Sequence, residues 1–181
     1  LEGVKTVHDE FVAVYLQDAH HVIQRFDRTG KVLGAIPLPT LGSIYDALPN
    51  RGFNGEREDD EMFYAFHSFV HPLTEYRFDF KTGRTETLFR PIIKFDFRPY
   101  VTRQVFVTSK DGTKVPMFLV HRKGLRRNGT NPTILYGYGG FNLALTPLFD
   151  VSRLAWFEIG GVLAFANLRG GAEYGEEWHK A

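Results

Sequence analysis

Pro132-Thr133-Ile134-Leu135-Tyr136-Gly137-Tyr138-Gly139-Gly140-Phe141 is the stretch on which the reading of this 181-residue chain turns. Its first half, ending in Ile-Leu-Tyr, has the β-branched and aromatic character of a short strand. The three glycines that follow let the backbone turn sharply and approach a ligand closely. Downstream, residues 151–158 suit a helix lying on one face of a sheet. Residues 161–167 (Gly-Val-Leu-Ala-Phe-Ala-Asn) form a continuous apolar run of the kind seen in parallel strands covered on both faces. That run again ends in glycines, at Arg169-Gly170-Gly171. Strand, glycine-rich loop, helix, buried strand and second glycine-rich loop together predict an α/β sheet with functional loops at its strand ends.

Working outward, residues 105–109 and 115–121 flank Asp111-Gly112, a hairpin turn signal, and residues 124–131 read as an exposed loop. The first ninety residues have a different character. Residues 10–16, 22–27, 61–67 and 75–80 read as strands rich in aromatic and β-branched side chains. Two of them end in matching turns, Phe26-Asp27-Arg28-Thr29-Gly30 and Phe78-Asp79 followed by Thr82-Gly83. The turn glycines stand 53 residues apart, close to the length of one multi-stranded propeller blade. Two copies leave open whether this is a propeller or two hairpins with similar turns. Residues 49–60, with two glycines and six charges, are expected to form a surface loop, and His20-His21 an exposed turn.

The composition excludes several classes. With 22 basic against 21 acidic residues the net charge is +1, which lacks the electrostatic footprint of a non-specific nucleic-acid binder. The chain has no cysteine, so a disulfide framework, a cysteine-based zinc site and a thiol nucleophile are all ruled out. A cytoplasmic location is expected, or a periplasmic one in a bacterium. The longest apolar stretch is broken by Glu158 and Gly160-Gly161, so no membrane span is expected. The seven histidines show no zinc-type spacing with a matching acid, and no metal or other cofactor is implied. The chain starts at Leu1-Glu2-Gly3-Val4 and stops at His179-Lys180-Ala181; both ends are expected to lie inside a longer protein.

The glycine-rich stretch 137–140 lacks the spacing of a dinucleotide fingerprint or a P-loop. It suits the oxyanion loop of an α/β-hydrolase, where a donor faces the oxygen that becomes negative during acyl transfer. A tyrosine phenol keeps its proton at neutral pH, so Tyr138 is a candidate donor. A plain turn with packed tyrosines fits the spacing as well. None of Ser43, Ser68, Ser109 and Ser152 stands in Gly-x-Ser-x-Gly, the setting of a hydrolase nucleophile. His179, with no partner serine, reads as structural.

Longer segments are similar to the prolyl oligopeptidase (prolyl endopeptidase) family of serine peptidases. They are Leu135 through Asn142, Thr146-Pro147, Val151-Ser152-Arg153-Leu154, Gly160-Gly161-Val162-Leu163-Ala164, Ala166-Asn167, Arg169-Gly170-Gly171, Glu173-Tyr174-Gly175-Glu176 and Trp178-His179-Lys180. Upstream, Ser109 through Phe118, and Phe63-Tyr64 with Phe66 and Ser68-Phe69, carry the same similarity. The resemblance implies a seven-bladed β-propeller, of which residues 1–92 are the C-terminal part. It implies that residues 93–181 are the first part of an α/β-hydrolase peptidase domain, ending before the Ser-Asp-His triad. It further implies cleavage of short proline-containing peptides after proline, in a complete enzyme that is monomeric. By position Tyr138 matches the oxyanion tyrosine and Phe141 an aromatic residue of the substrate pocket, where a flat apolar wall suits a proline ring. Oligopeptidase B, an acyl-peptide hydrolase and a non-catalytic propeller module are the alternatives.

Overall fold

The computed structural model describes residues 1–45 and 53–181. The first sheet is an antiparallel meander of β1 (Gly3–Val7), β2 (Glu10–Gln17), β3 (His20–Phe26) and β4 (Val32–Ile36), paired in that order. The second contains β5 (Ser43–Ile44), β6 (Phe53–Asn54), β7 (Glu61–Ser68), β8 (His71–Asp79) and β9 (Arg84–Phe89). Its order is β5-β7-β8-β9, with β6 also pairing β7. The two sheets share one core, in which Val12, Val14 and Ile23 meet Met62, Phe66 and Phe78. Alternation along β7, where Met62, Tyr64 and Phe66 are buried and Glu61, Phe63 and Ala65 less so, is the period-2 signature that sends one face inward. Arg25 ties the sheets further. It makes a two-pronged pair with Glu10 (2.7 and 2.8 Å) and stacks over Phe78 and Phe80 from the second sheet.

The matching turns occupy the same place in both sheets, joining β3 to β4 and β8 to β9. In each, an aspartate carboxylate accepts from a threonine, Asp27 from Thr29 and Asp79 from Thr82. These bonds hold both carboxyls below the ordinary range.

The third sheet combines β10 (Tyr100–Thr108), β11 (Lys114–Arg122), β12 (Thr133–Gly137) and β13 (Val162–Ala166), in the order β10-β11-β13-β12. It is mixed: β12 and β13 run parallel, while β11 is antiparallel to both β10 and β13. Two short helices, α1 (Ser152–Glu158) and α2 (Glu176–Lys180), flank β13 in sequence. Every residue of β13 is buried, as its apolar run predicts. β12 is instead exposed along its whole length at the sheet edge.

Two turns of the antiparallel sheets reach the third sheet. The β2–β3 turn inserts Ala19, and the β7–β8 turn inserts Phe69, each with no exposed surface. Phe69 packs between Phe118 and Phe165, at ring-centroid distances of 5.7 and 5.1 Å. Asp18 adds polar links: its carbonyl accepts from Gln104, and its carboxylate accepts from the Tyr174 hydroxyl at 2.7 Å.

Three expectations need correction. His20 and His21 open strand β3 rather than forming an exposed turn; the reversal uses Asp18 and Ala19, both at positive φ. Of the loop 49–60, residues 49–52 lie outside the described residues, and Phe53–Asn54 is a strand because it pairs with Tyr64 and Phe63. The strand at 105–109 starts earlier, at Tyr100, because the hairpin pairs continuously from Thr108↔Lys114 to Tyr100↔Arg122.

Candidate active site

Parallel pairing of β12 with β13 puts both glycine-rich loops at the same edge of the sheet, beyond the carboxyl ends of the strands. This is where open α/β sheets hold their ligand sites. The loops pack backbone to backbone. A Cβ at Gly139 would lie 2.5 Å from the Arg169 carbonyl, and one at Gly170 would overlap the Gly139 carbonyl. Only glycine allows this approach, and both residues also sit at positive φ (56° and 96°). The Asn142 N–H donates to the Gly170 carbonyl at 3.2 Å, joining the loops directly.

Tyr138 and Phe141 are brought together on this edge. Their rings stack with centroids 6.3 Å apart and planes inclined by 20°. Tyr138 is 45% exposed and Phe141 84%, so the pair faces outward rather than filling core. The plain-turn reading with buried tyrosines therefore does not describe Tyr138. Phe141 and Asn142 both have φ of 54°. A left-handed conformation at a bulky aromatic residue costs free energy, which the contacts around the loop must offset.

The second loop is anchored from several sides. Arg169 pairs with Asp111 at 2.5 Å, across from the β10–β11 turn. The Thr113 N–H and then Arg169 hold the Asp111 carboxyl far below its ordinary range. The His179 Nδ1–H donates to the Gly170 carbonyl (2.8 Å), and the Trp178 Nε1–H donates to Leu168 O (3.2 Å). His179 thus braces the glycine loop through the loop backbone. Burial first, then the hydrogen bond and charge of Asp18, push the Tyr174 phenol above its ordinary range. That phenol therefore serves as a neutral donor.

Sequence reasoning missed Asn167 and Glu173. Both are buried, at 0% and 5% exposure, beneath the first loop. Their sequence signals were their place in the family-similar segments and, locally, two polar residues flanking a glycine pair just after a buried strand. Among the described residues, no group of three or more histidine, aspartate or glutamate side chains is arranged to hold a metal ion. No helix of the described residues is long and apolar enough to cross a membrane.

Comparison with known proteins places this architecture. Residues 1–90 match the family described as "Prolyl oligopeptidase, N-terminal beta-propeller domain". The chain is 44% identical over 171 residues to a prolyl endopeptidase of Elizabethkingia miricola, covering 94% of this chain and 23% of that protein. It is 33% identical over 186 residues to the prolyl endopeptidase of Dictyostelium discoideum, covering 100% of this chain and 24% of the relative. A structure from a mechanistic study of two prolyl endopeptidases superposes with a TM-score of 0.87 at 43% identity, over 100% of this chain and 25% of that one. Prolyl oligopeptidase B from Galerina marginata superposes with a TM-score of 0.84 at 32% identity, over 98% of this chain and 25% of that one. The chain thus spans a minor share, 23% to 25%, of the length of these relatives. It belongs to the prolyl oligopeptidase family.

Proposed function

We propose that this chain is part of a serine-type endopeptidase that hydrolyses short peptides after proline through an acyl-enzyme. In this reading residues 1–92 are the last part of the propeller, which admits peptides, and residues 93–181 open the α/β-hydrolase domain. The observation that carries it is the placing of Tyr138, phenol outward and stacked on Phe141, on a loop at the carboxyl edge of two parallel strands. Prolyl endopeptidases among the relatives support the substrate class.

In this reading the reaction is acyl transfer to a serine. A serine oxygen gives its proton to a base as it adds to the proline carbonyl carbon, and the carbonyl π electrons move onto oxygen. When they return, the C–N bond breaks and the amine leaves with that proton, giving the acyl-enzyme. The Tyr138 hydroxyl donates to the carbonyl oxygen as its charge develops, an interaction stronger in the transition state than in the bound peptide. Phe141 supplies a flat apolar wall against which the proline ring packs. No serine of this chain stands in Gly-x-Ser-x-Gly, and the nucleophile with its base and acid is expected beyond Ala181. The 181 residues alone are therefore expected not to cleave peptides.

In the complete protein, Tyr138→Phe is expected to lower turnover by roughly 10²–10³, the usual cost of one oxyanion donor. Turnover within about twofold of the parent, well short of that cost, refutes the role.

A further inference from the structure

Asn167 and Glu173 do something unusual to the backbone of Leu145. Glu173 Oε1 accepts from the Leu145 N–H at 3.0 Å, while Asn167 Nδ2 donates to the Leu145 carbonyl at 2.5 Å. The same Nδ2 donates to Glu173 Oε1 at 3.1 Å, so the two side chains are locked to each other. Both polar groups of one residue are thereby held, as a neighbouring strand would hold them. Asn167 is itself fixed by its own N–H, which donates to Pro116 O at 3.0 Å at the end of the sheet. The carboxylate also fills the space over Gly171, where a Cβ would overlap Glu173 Oε2.

Stability alone does not explain the arrangement. Glu173 Oε2 and Asn167 Oδ1 have no hydrogen-bond partner among the described residues, so each remains a desolvated acceptor. A buried carboxylate with an idle oxygen is costlier than an apolar residue of similar size. What it achieves is position. Leu145 follows the strained Phe141-Asn142 pair by three residues, and the Leu143 N–H closes back on the Gly140 carbonyl at 3.2 Å.

We propose that Glu173, oriented by Asn167, is a positioning residue that fixes the Tyr138–Phe141 loop by clamping the Leu145 peptide groups. The proposal rests on the reading of Tyr138 as oxyanion donor. It assigns Glu173 no contact with substrate.

The test uses the complete protein with a blocked Gly-Pro amide, together with hydrogen exchange of the amides in residues 138–146. Glu173→Ala is expected to lower kcat by roughly 10- to 100-fold, as misplacement of a catalytic group does, with KM little changed. Glu173→Gln, which keeps the Oε1 acceptor, is expected to restore most of the turnover. Asn167→Leu, of similar size, cannot donate to the Leu145 carbonyl and is expected to repeat the loss with little change of shape. In the Tyr138→Phe background, Glu173→Ala is expected to cost less than about threefold more, because both act through one hydroxyl. Exchange at residues 138–146 is expected to quicken in Glu173→Ala.

Two results overturn the clamp: unchanged exchange in Glu173→Ala, or the same fold loss of turnover with and without the Tyr138 hydroxyl. A different pattern marks failure of the underlying reading. There, Tyr138→Phe keeps parental turnover while Glu173→Ala still loosens the loop, and the positioning role in catalysis falls with it.

Discussion

Phe69 sits in a turn of the second antiparallel sheet, yet its ring belongs to the core of the third, and replacing it with alanine tests that placement. The side chain has no exposed surface. Its removal forfeits the transfer free energy of a buried phenylalanine, about 2–3 kcal/mol. It also removes two aromatic contacts, with Phe118 at 5.7 Å and Phe165 at 5.1 Å, worth roughly 0.5–1 kcal/mol each. The Arg153 guanidinium, 5.7 Å from the Phe69 ring, loses its partner as well. The expected cost is about 3–5 kcal/mol, the range found for Phe→Ala in well-packed cores. Trp156 and Trp178, the two tryptophans of the chain, both lie in the third-sheet part, so their fluorescence during urea denaturation reports on the unit that Phe69 enters. With a urea slope of about 2 kcal/mol/M, the midpoint should fall by roughly 1.5–2.5 M. Phe69→Leu keeps most of the volume and should lose less than about 1.5 kcal/mol. A midpoint shift under about 0.3 M for Phe69→Ala is what an exposed turn residue would give. That result would refute the placement of Phe69 in the third-sheet core.

Other perturbations give equally definite expectations. Gly170→Ala must push against the Gly139 carbonyl and should cost at least about 2–3 kcal/mol, whereas Gly83→Ala meets open space and should cost about 1 kcal/mol. Equal shifts in thermal midpoint for the two would contradict the backbone contact between the glycine loops. Burial, with a smaller contribution from His21, lowers the His67 pKa to about 4. The folded state therefore favours neutral imidazole, and the unfolded chain, with its reference value near 6.5, takes up the proton first. The stability held above pH 6.5 should decline as pH falls from about 6.5 to 4, by about 2 kcal/mol at pH 5 from this group. His71, held at about 4 by burial and then by Arg90 and His67, works in the same window. Urea midpoints at pH 7 and pH 5 measure the effect, which His67→Asn should reduce; a midpoint flat over that interval in the parent protein would contradict it.

Local chemistry was readable where it acts over a few residues. The Asp27 and Asp79 turns, the Asp111-Gly112 hairpin and the buried run of β13 each carry their own signal in neighbouring side chains. That a strand ends in a sharp glycine-rich turn carrying Tyr138 and Phe141 was legible from residues 132–141 alone, whereas a role for the two side chains, over a plain turn, came only from the family resemblance. What escaped the sequence depends on contacts distant along the chain. Nothing near Phe69 says that it leaves its own sheet to meet Phe118 and Phe165. The exposure of β12 depends on its being an edge strand, which pairing with residues 162–166 decides. The Leu145 clamp needs residues 22 and 28 positions away to converge on the backbone of one residue, and no local pattern encodes that. His20 and His21 were misplaced because the actual turn, Asp18-Ala19, lacks a glycine despite its positive φ.

The central claim is that the edge bearing Tyr138 and Phe141 belongs to a peptidase that cleaves after proline. Its most direct test is to read the gene beyond Ala181, express the complete protein and measure hydrolysis of a blocked Gly-Pro amide with and without a serine-directed inhibitor. The account predicts cleavage that the inhibitor abolishes. A gene encoding no downstream Gly-x-Ser-x-Gly, or a complete protein that cleaves esters or basic-residue amides but not the prolyl amide, would contradict it.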